Sequence, residues 1–362
     1  MTDYAGLQRE KENDQPASRF LRACQRLPVD ATPVWFMRQA GRYMEEYRQI
    51  RAKYSFLEVA STPELAAEVT LQPVEAFEID AAILFADILL PLRPMGLGLE
   101  FVKGKGPVID NPVRTRDDVQ ALKKVEPTRD LDFVYQVIRL VRSDLDARKT
   151  PLIGFCGAPF TLACYMIEGG SSRKYLRAKK MMYRAPEIWH DLMERITDTL
   201  SAYLVEQVKA GAQAVQIFDS WVGALSPEDY RLYAYPYSKR LLTSVQETGV
   251  PVIHFGTGTA TLLNLMKQAG GDVIGLDWRM PLDRGWEALG PEVAVQGNLE
   301  PAALLAPRPL LKKKIVEVLD RAGGRPGHIF NLGHGIHRET DPAMVRETVD
   351  MVHALSGKVE NE

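Results

Sequence analysis

The sequence predicts an α/β protein folded as a single (β/α)8 barrel with a short appended hairpin. Eight short apolar runs recur along the 362 residues, and stretches with helical spacing separate most of them. The runs are nearly continuous rather than alternating, which is typical of parallel strands covered on both faces. Eight such strands with helical crossovers form a closed barrel. A doubly wound open sheet is the main alternative.

The candidate strands are spread over the whole chain. They comprise residues 33–37, 81–85, 151–155, 214–218, 251–255, 273–277, 293–297 and 328–332. After the second of them, residues 96–109 place Gly-Lys-Gly between two alternating runs. This pattern predicts a surface hairpin appended to the barrel.

Two long helices are predicted from apolar spacing and from the residues at their ends. Residues 186–212 carry apolar side chains at helical spacing, and Gly211 suits a C-terminal cap. Residues 226–249 indicate one helix that begins after Ser226 as the N-cap and ends at Gly249. Such helices provide the crossovers that a barrel requires.

Composition and charge exclude several classes of function. The chain is 46% hydrophobic and 25% charged, which is typical of a compact globular protein. Its net charge of -2 argues against a general binder of nucleic acid or membranes, since those proteins usually carry a basic excess. No run of 18 apolar residues is present. Any anionic partner is therefore expected to be bound locally.

Cysteine usage and the N-terminal segment predict a cytoplasmic protein. Cys24, Cys156 and Cys164 are too few and too scattered for a disulfide framework or a zinc cluster, so a reducing compartment is the default. Residues 1–17 are polar and resemble neither a secretory signal nor an Arg-rich transit peptide. We predict a disordered segment over residues 1–17, the barrel over 18–356 and a short tail over 357–362.

The candidate site residues follow the strands, because a barrel carries its active site at the C-terminal ends of its strands. In chain order they are Arg38, Arg42, Asp87, Cys156, Tyr165, Asp219, Ser220, Gly256, Thr257, Asp277, Arg279, Asn298 and His334. Cys156 lies in an apolar stretch and is expected to be an inert small hydrophobe.

Arg38 and Arg42 lie four residues apart, directly after the first run. On a first helical turn this spacing directs both guanidiniums to one place, and the helix N-terminus adds backbone N–H groups. We interpret the pair as a clamp for a carboxylate or phosphate. The alternative is a surface turn in which the arginines pair with Glu45 and Glu46.

Asp87 and His334 have unusual sequence neighbours. Asp87 lies among apolar residues, where a carboxylate needs a cation or several donors, so it is a site residue or half of a structural ion pair. His334 lies between two glycines that allow close approach to a ligand, and the alternative is a core histidine. Tyr165 and Ser220 are weaker candidates when taken singly, because buried hydroxyls usually satisfy backbone groups.

Motifs for nucleotides and zinc are incomplete. The segment GTGTA at residues 256–260 opens a helix, but it lacks both the G-K-[ST] ending of a P-loop and the G-x-G-x-x-G of a dinucleotide site. The sequence has no H-E-x-x-H and no Cys/His cluster. Neither a nucleotide nor a zinc site is therefore predicted.

Several segments together resemble one family. They are PVWFMRQAGRYMEEYR, ILFADILLPLRPMGLGLEF, GFCGAPFTLACYMIEGGSS, FDSW, GLDWRMPL, QGNLEP and NLGHGI. In order and spacing they resemble the uroporphyrinogen decarboxylases, over residues 18 to 356 approximately. The resemblance implies a homodimeric (β/α)8 barrel without cofactor or metal. It also implies conversion of the four acetates of uroporphyrinogen III to methyls, giving coproporphyrinogen III and four CO2 in tetrapyrrole biosynthesis.

The resemblance further implies which residues bind substrate. These are Arg38, Gln39, Ala40, Gly41, Arg42, Arg51, Asp87, Tyr165, Phe218, Ser220 and His334. Asp87 would accept hydrogen bonds from the pyrrole N–H groups and stabilise the positive charge that develops on the protonated ring. Arg38, Tyr165 and a carboxylic acid of the substrate all remain candidates for the proton donor.

Two residues depart from the family pattern. Glu45 and Arg338 stand where the family usually has proline. Because proline stiffens a loop, we expect the segments around both residues to be less rigid here.

Two alternatives to decarboxylation are a methyltransferase and a catalytically dead tetrapyrrole carrier. Methyltransferases of the same fold superfamily bind zinc through His-x-Cys and a distant Cys, whereas here Phe255 and Gly256 follow His254. A catalytically dead tetrapyrrole carrier would be expected to lack Arg38, Asp87 or Tyr165, and all three are present. The sequence therefore favours the decarboxylase.

Overall fold

The computed structural model describes residues 18–102 and 104–357 of the chain. The strands, in chain order, are β1 (Ala82–Ile83), β2 (Leu99–Val102), β3 (Gly106–Ile109), β4 (Leu152–Gly157), β5 (Ala214–Asp219), β6 (Val252–Gly256), β7 (Val273–Gly275), β8 (Ala294–Gln296) and β9 (His328–Ile329). β2 and β3 form an antiparallel pair, which confirms the predicted hairpin. The other seven form one parallel sheet in chain order.

Residues 33–35 join the two edges of this sheet. Val34 bridges Phe330 in parallel orientation, and the Phe330 amide donates to the Pro33 carbonyl at 2.8 Å. On the other side, the Asp80 amide donates to the Val34 carbonyl at 2.8 Å. The segment thus occupies the eighth position of the ring. The predicted (β/α)8 barrel is confirmed, and the open sheet is excluded.

The first predicted strand, residues 33–37, is nevertheless shortened to this one bridge. Side chains, rather than a strand ladder, accept most of its backbone N–H groups. Asp80 accepts from Val34 at 2.7 Å, Gln39 from Phe36 at 3.1 Å and Asn331 from Met37 at 3.2 Å. Because these donors are already satisfied, the chain can leave the strand direction and turn early toward Arg38.

Helices pack around the ring. In chain order they are α1 (Arg19–Cys24), α2 (Glu45–Lys53), α3 (Phe56–Ser61), α4 (Pro63–Phe77), α5 (Arg116–Gln120), α6 (Pro127–Asp130), α7 (Asp132–Ala147), α8 (Pro159–Glu168), α9 (Leu176–Arg184), α10 (Pro186–Ala210), α11 (Pro227–Tyr233), α12 (Tyr235–Gln246), α13 (Leu263–Ala269), α14 (Leu282–Leu289), α15 (Arg308–Ala322) and α16 (Pro342–Ser356). Within the described ranges, no helix is long and apolar enough to cross a membrane.

The two long helix predictions had different outcomes. The helix over residues 186–212 is confirmed as α10, with Gly211 as its C-cap. The single helix over 226–249 is wrong, because α11 ends before Ala234 and α12 follows directly. Pro236 explains the break, since it has no N–H to continue the helical ladder. The cap was predicted correctly, because the Ser226 hydroxyl accepts the Asp229 amide at 3.1 Å.

Two hydrophobic cores divide the strand residues between them. Trp35, Ile253 and Phe255 belong to a core inside the ring, whereas Val252 packs in the layer between strands and helices. This division follows from the alternation of side chains along a strand. It also decides which residues near the ends of the strands reach the open end of the barrel.

The predicted terminal segments fall largely outside the described residues. This applies to residues 1–17 and to residues 358–362 of the predicted tail.

Candidate active site

Five predicted site residues come from different parts of the ring and lie beyond its C-terminal edge. Arg38 follows the Val34 bridge, Asp87 follows β1, Tyr165 lies on α8 after β4, Ser220 follows β5 and His334 follows β9. Loops converge at the C-terminal edge of a barrel, and the space between these loops is the candidate cleft.

Asp87 is a partly buried carboxylate in this cleft. Its Oδ1 accepts the backbone N–H of Leu89 at 2.9 Å. Burial raises the pKa of Asp87 to about 6, although the Leu89 N–H and the Arg38 charge oppose the rise. The carboxylate is therefore mostly ionised at neutral pH, and it can stabilise a positive charge that develops next to it.

Arg38 lies on a loop and not on a helix. Its φ of 60° is left-handed, which is uncommon for a residue other than glycine, and α2 begins only at Glu45. The prediction that Arg38 and Arg42 share a first helical turn is therefore wrong. The Arg38 side chain lies along Gly335, where a Cβ atom would collide with its methylene groups. The glycine after His334 thus makes room for Arg38.

The charge of Arg38 reaches three neighbours in the cleft. It lowers the pKa values of Asp87 and Tyr165 against the larger effect of burial, and burial still raises the Tyr165 pKa to about 12. Burial lowers the pKa of His334 to about 4, and Arg38 adds to that effect. At neutral pH, Tyr165 is consequently a protonated phenol and His334 is a neutral ring.

The hydrogen bond at His334 indicates its tautomer. The ring Nδ1 accepts the backbone N–H of Gly335 at 2.6 Å. A neutral imidazole that accepts through Nδ1 carries its proton on Nε2. His334 can therefore donate a hydrogen bond to a ligand oxygen through Nε2.

Arg42 and Arg51 both lie near the hydroxyl group of Tyr47. Burial raises the pKa of Tyr47, and both arginines lower it whereas the Asp87 charge raises it, so the phenol lies near all three groups. Arg51 also donates to the Tyr54 carbonyl. Tyr47 was not selected from the sequence, although its i, i+4 spacing to Arg51 on α2 was a usable signal.

Gln39 is one sequence-predicted binding residue whose side chain the structure does not bring to the cleft. It is fully buried, and its amide accepts from Phe36 and donates to the Ala81 carbonyl at 3.3 Å. The side chain therefore fixes the start of the Arg38 loop. Ala40 and Gly41 follow on that loop and are partly buried.

Phe218 and Ser220 line the β5 side. Phe218 is partly exposed, and its ring contacts Phe155 and Phe255 with centroid distances of 5.5 and 6.0 Å. Ser220 is also partly buried, and its carbonyl accepts the Thr257 hydroxyl at 2.5 Å. The sequence therefore placed both residues correctly at the end of β5.

Trp221 is a further residue of this wall that the sequence did not single out. Its ring stacks on Tyr165 with centroids 3.9 Å apart, and its amide donates to the Thr161 hydroxyl at 3.3 Å. Thr161 in turn donates to Asp219 Oδ1 at 3.0 Å. The position of Trp221 next to Ser220 in the segment FDSW was the only signal.

Asp219 itself does not reach the cleft. It is completely buried, and its Oδ2 lies 3.8 Å from Nε2 of the equally buried His254. His254 therefore belongs to the layer between strands and helices. Among the described residues, no group of three or more His, Cys, Asp and Glu side chains is placed to hold a metal ion.

The two departures from the family pattern are both on the surface. Glu45 is the first residue of α2, where a negative charge favours the helix N-terminus. Arg338 forms an exposed ion pair with Glu339 at 3.2 Å.

The three cysteines are free and buried, and burial raises the pKa values of their thiols.

Comparison with known proteins supports one family over most of the chain. A family model described as uroporphyrinogen decarboxylase matches residues 15–355. A uroporphyrinogen decarboxylase from Carboxydothermus hydrogenoformans is 57% identical over 337 residues, covering 93% of this chain and 96% of its own length. One from Roseiflexus sp. is 56% identical over 346 residues, covering 94% and 99%.

A solved structure agrees with the fold. A methyltransferase from Methanosarcina mazei superimposes with a TM-score of 0.76 at 21% identity, covering 93% of this chain and 98% of that one. At this identity the likeness concerns the fold alone. The family model and the relatives, which are more than 50% identical to this chain, show its family. The chain belongs to the uroporphyrinogen decarboxylase family.

Proposed function

We propose that this protein decarboxylates the four acetate side chains of uroporphyrinogen III without a cofactor, giving coproporphyrinogen III and four CO2. The observation that carries the proposal is the Asp87 carboxylate, which lies near Arg38 and Tyr165 beyond the C-terminal edge of the barrel, with His334 next to Arg38. A carboxylate next to cations and neutral donors suits this substrate, because its side arms carry carboxylates and its pyrrole rings develop positive charge during the reaction.

Substrate binding rests on local positive charge. Uroporphyrinogen carries eight carboxylates, whereas the protein has a net charge of only -2. Arg38, Arg42 and Arg51 supply positive charge near the cleft. Guanidiniums bind carboxylates through two parallel N–H bonds, so these residues would hold and orient the acetate and propionate arms.

The chemistry needs an electron sink for the bond that breaks. Protonation of the pyrrole carbon beside the acetate creates a ring cation, and the electrons of the breaking C–C bond flow into it as CO2 leaves. The resulting exocyclic methylene takes up a proton and becomes a methyl group, and the ring then loses the first proton. Asp87 would accept hydrogen bonds from the pyrrole N–H groups and stabilise the cation as it forms.

The proton donor is one of three groups. Tyr165 is protonated, with a pKa raised to about 12 by burial. Arg38 is nearby, but a guanidinium is a poor general acid because it retains its proton at ordinary pH. A carboxylic acid of the substrate is the third candidate.

We further propose that the protein is a cytoplasmic homodimer in which residues 18–356 form one catalytic unit. Three large apolar side chains on neighbouring helices support a self-association surface: Leu176, Tyr183 and Leu232 are 65%, 55% and 59% exposed. Free cysteines fit a reducing compartment. Sedimentation equilibrium of the wild type and of Leu176→Ser/Leu232→Ser tests the dimer, and a monomeric wild type contradicts it.

The activity is tested by incubating the purified protein anaerobically with uroporphyrinogen and a chelator. We expect products with seven, six, five and four carboxylates, together with CO2. Asp87→Asn, prepared in the same way, serves as the control for contaminating activity. If the wild type releases no CO2, the proposed function is wrong.

A further inference from the structure

We propose that Arg279 forms a second carboxylate-binding subsite, on the opposite side of His334 from Arg38. This inference rests on the proposed function, and it identifies Arg279 as a residue that binds one acid arm of the tetrapyrrole. The ligand class is a carboxylate on a flexible side arm. Three loops meet at His334.

The His334 loop is packed tightly between two neighbouring loops. On one side, a Cβ atom at Gly333 would collide with the backbone N of Trp278 and lie 2.9 Å from the carbonyl carbon of Asp277. On the other side, Gly335 lies against the Arg38 side chain. His334 is therefore held between the Asp277 loop and Arg38.

Arg279 is fixed in place on the first of these sides. Its Nη1 donates to Asp277 Oδ2 at 2.7 Å, and its backbone N–H donates to Asp277 Oδ1 at 2.9 Å. The guanidinium carbon lies 3.9 Å from the centroid of the Trp278 ring. Asp277 is itself almost fully buried, and it also accepts the Gly258 amide. A guanidinium held on two sides loses little freedom when it binds a ligand.

The same guanidinium keeps binding capacity toward solvent. The Arg279 side chain is 54% exposed. Within the described residues, its Nε and Nη2 groups make no hydrogen bond. The charges of Arg38 and Arg279 both lower the pKa of His334, so both cations lie near this ring.

The arrangement suits an extended polyacid. Arg38 and Arg279 flank a neutral His334 whose Nε2 can donate a hydrogen bond. Two acid arms of one macrocycle can therefore be bound at once, one on each side of the histidine. Asp277 acts here as a positioning residue, because it orients Arg279 and does not itself attract the substrate.

The experiment compares steady-state kinetics of Arg279→Gln and the wild type with uroporphyrinogen. We expect KM to rise about tenfold, with kcat within about threefold, because a charge-assisted contact away from the reacting bond is lost. Arg279→Lys keeps the charge but not the fork, and it should recover part of the loss. Arg284→Gln is the matched control, since Arg284 pairs with Glu287 on an exposed face and is 71% exposed.

A direct binding measurement separates this inference from the proposed function. Oxidised coproporphyrin, which does not react further, is titrated by fluorescence quenching, and Arg279→Gln should bind it several-fold more weakly with a smaller salt dependence. Unchanged KM and porphyrin affinity in Arg279→Gln, alongside an active wild type, overturn the subsite alone. An inactive wild type overturns the proposed function instead, while the porphyrin titration still reports on Arg279.

Discussion

Asp87 and Asp219 are both aspartates near the C-terminal end of a barrel strand, yet their surroundings differ. Asp87 lies in the cleft, partly exposed, with its Oδ1 on the Leu89 amide and Arg38 nearby. Asp219 is completely buried, with its Oδ1 on Thr161 and its Oδ2 3.8 Å from His254. Of the two residues, only Asp87 is partly exposed.

The direction of the side chain explains this difference better than the distance from the strand end does. Asp219 is the last residue of β5 and alternates with Phe218, which faces the interior of the ring. It therefore points toward the helices. Asp87 lies four residues beyond the end of β1, where strand alternation no longer applies. A residue that follows a strand thus reaches the cleft only if the loop turns it there.

Asp87→Asn should produce the largest effect on activity. We expect kcat to fall by about 100- to 1,000-fold with little change in substrate affinity, because the amide cannot stabilise the ring cation. The same substitution should make the protein more stable although it lowers the activity. Burial disfavours the charged form, so the neutral amide raises the free energy of unfolding at pH 7 by about 1 to 2 kcal/mol. Single-turnover kinetics and urea unfolding measure the two effects, and near-normal turnover contradicts the role of Asp87.

Asp219→Ala should have the largest effect on stability. The change removes the acceptor of the Thr161 hydroxyl and leaves His254 without its carboxylate, so we expect a loss of about 3 kcal/mol in the free energy of unfolding. The folded fraction should keep turnover within about tenfold of the wild type. Calorimetry and active-fraction kinetics test this, with Asp87→Ala as the matched variant. A stable but inactive Asp219→Ala variant would show that Asp219 takes part in the reaction.

The pH dependence of kcat/KM should distinguish Asp87 from Asp219. Its expected size lies between the effects of the substitutions described before and after it. As pH falls through about 6, Asp87 gains a proton, and kcat/KM should drop about tenfold per pH unit. His334 stays neutral down to about pH 4 and adds nothing in this window. The pKa of Asp87 is higher in the folded than in the unfolded chain, so its contribution to stability is greatest below pH 4 and is lost as pH rises through 6.

The pH profile of kcat/KM between pH 7 and 5 provides the measurement. Asp219→Ala should keep this acidic limb, whereas Asp87→Asn should lack it. A limb that survives in Asp87→Asn would assign the titration to another group.

Thr161→Val should give the smallest effect. The hydroxyl joins Asp219 to the Trp221 amide, so its loss should reduce the free energy of unfolding by about 1 to 2 kcal/mol. A few-fold decrease in kcat should accompany it, because Trp221 stacks on Tyr165. Thr161→Ser should recover both values, and equal behaviour of the two variants would show that the hydroxyl is not used.

Much of the barrel could be predicted because hydrophobic spacing reflects burial directly. Seven of the eight apolar runs contain strands, and α10 and the hairpin appear where the pattern placed them. The first run failed as a strand because side chains remote in sequence, such as Asp80 and Asn331, satisfy its backbone. The single helix over 226–249 is wrong because Pro236 has no backbone N–H to continue it, and this outweighs the apolar spacing.

The candidate site was predicted in part. Residue type and position after a strand favoured Arg38, Asp87 and His334, whereas Tyr165 was a weak candidate until the family resemblance added to it. All four interact electrostatically in the structure. The same criteria did not single out Tyr47 and Trp221. They also could not show that the Gln39 side chain serves the protein interior. These distinctions depend on contacts between residues that are far apart along the chain.

The sequence by itself determined the fold class and the chemistry available to the cleft, because periodicity and residue type are local properties. Only the tertiary structure decided that Arg38 adopts a left-handed loop conformation, that Asp87 is half-buried with a pKa raised to about 6, and that Asp219 faces the helices. The physical reason is that burial, side-chain direction and electrostatic environment arise from packing between distant segments.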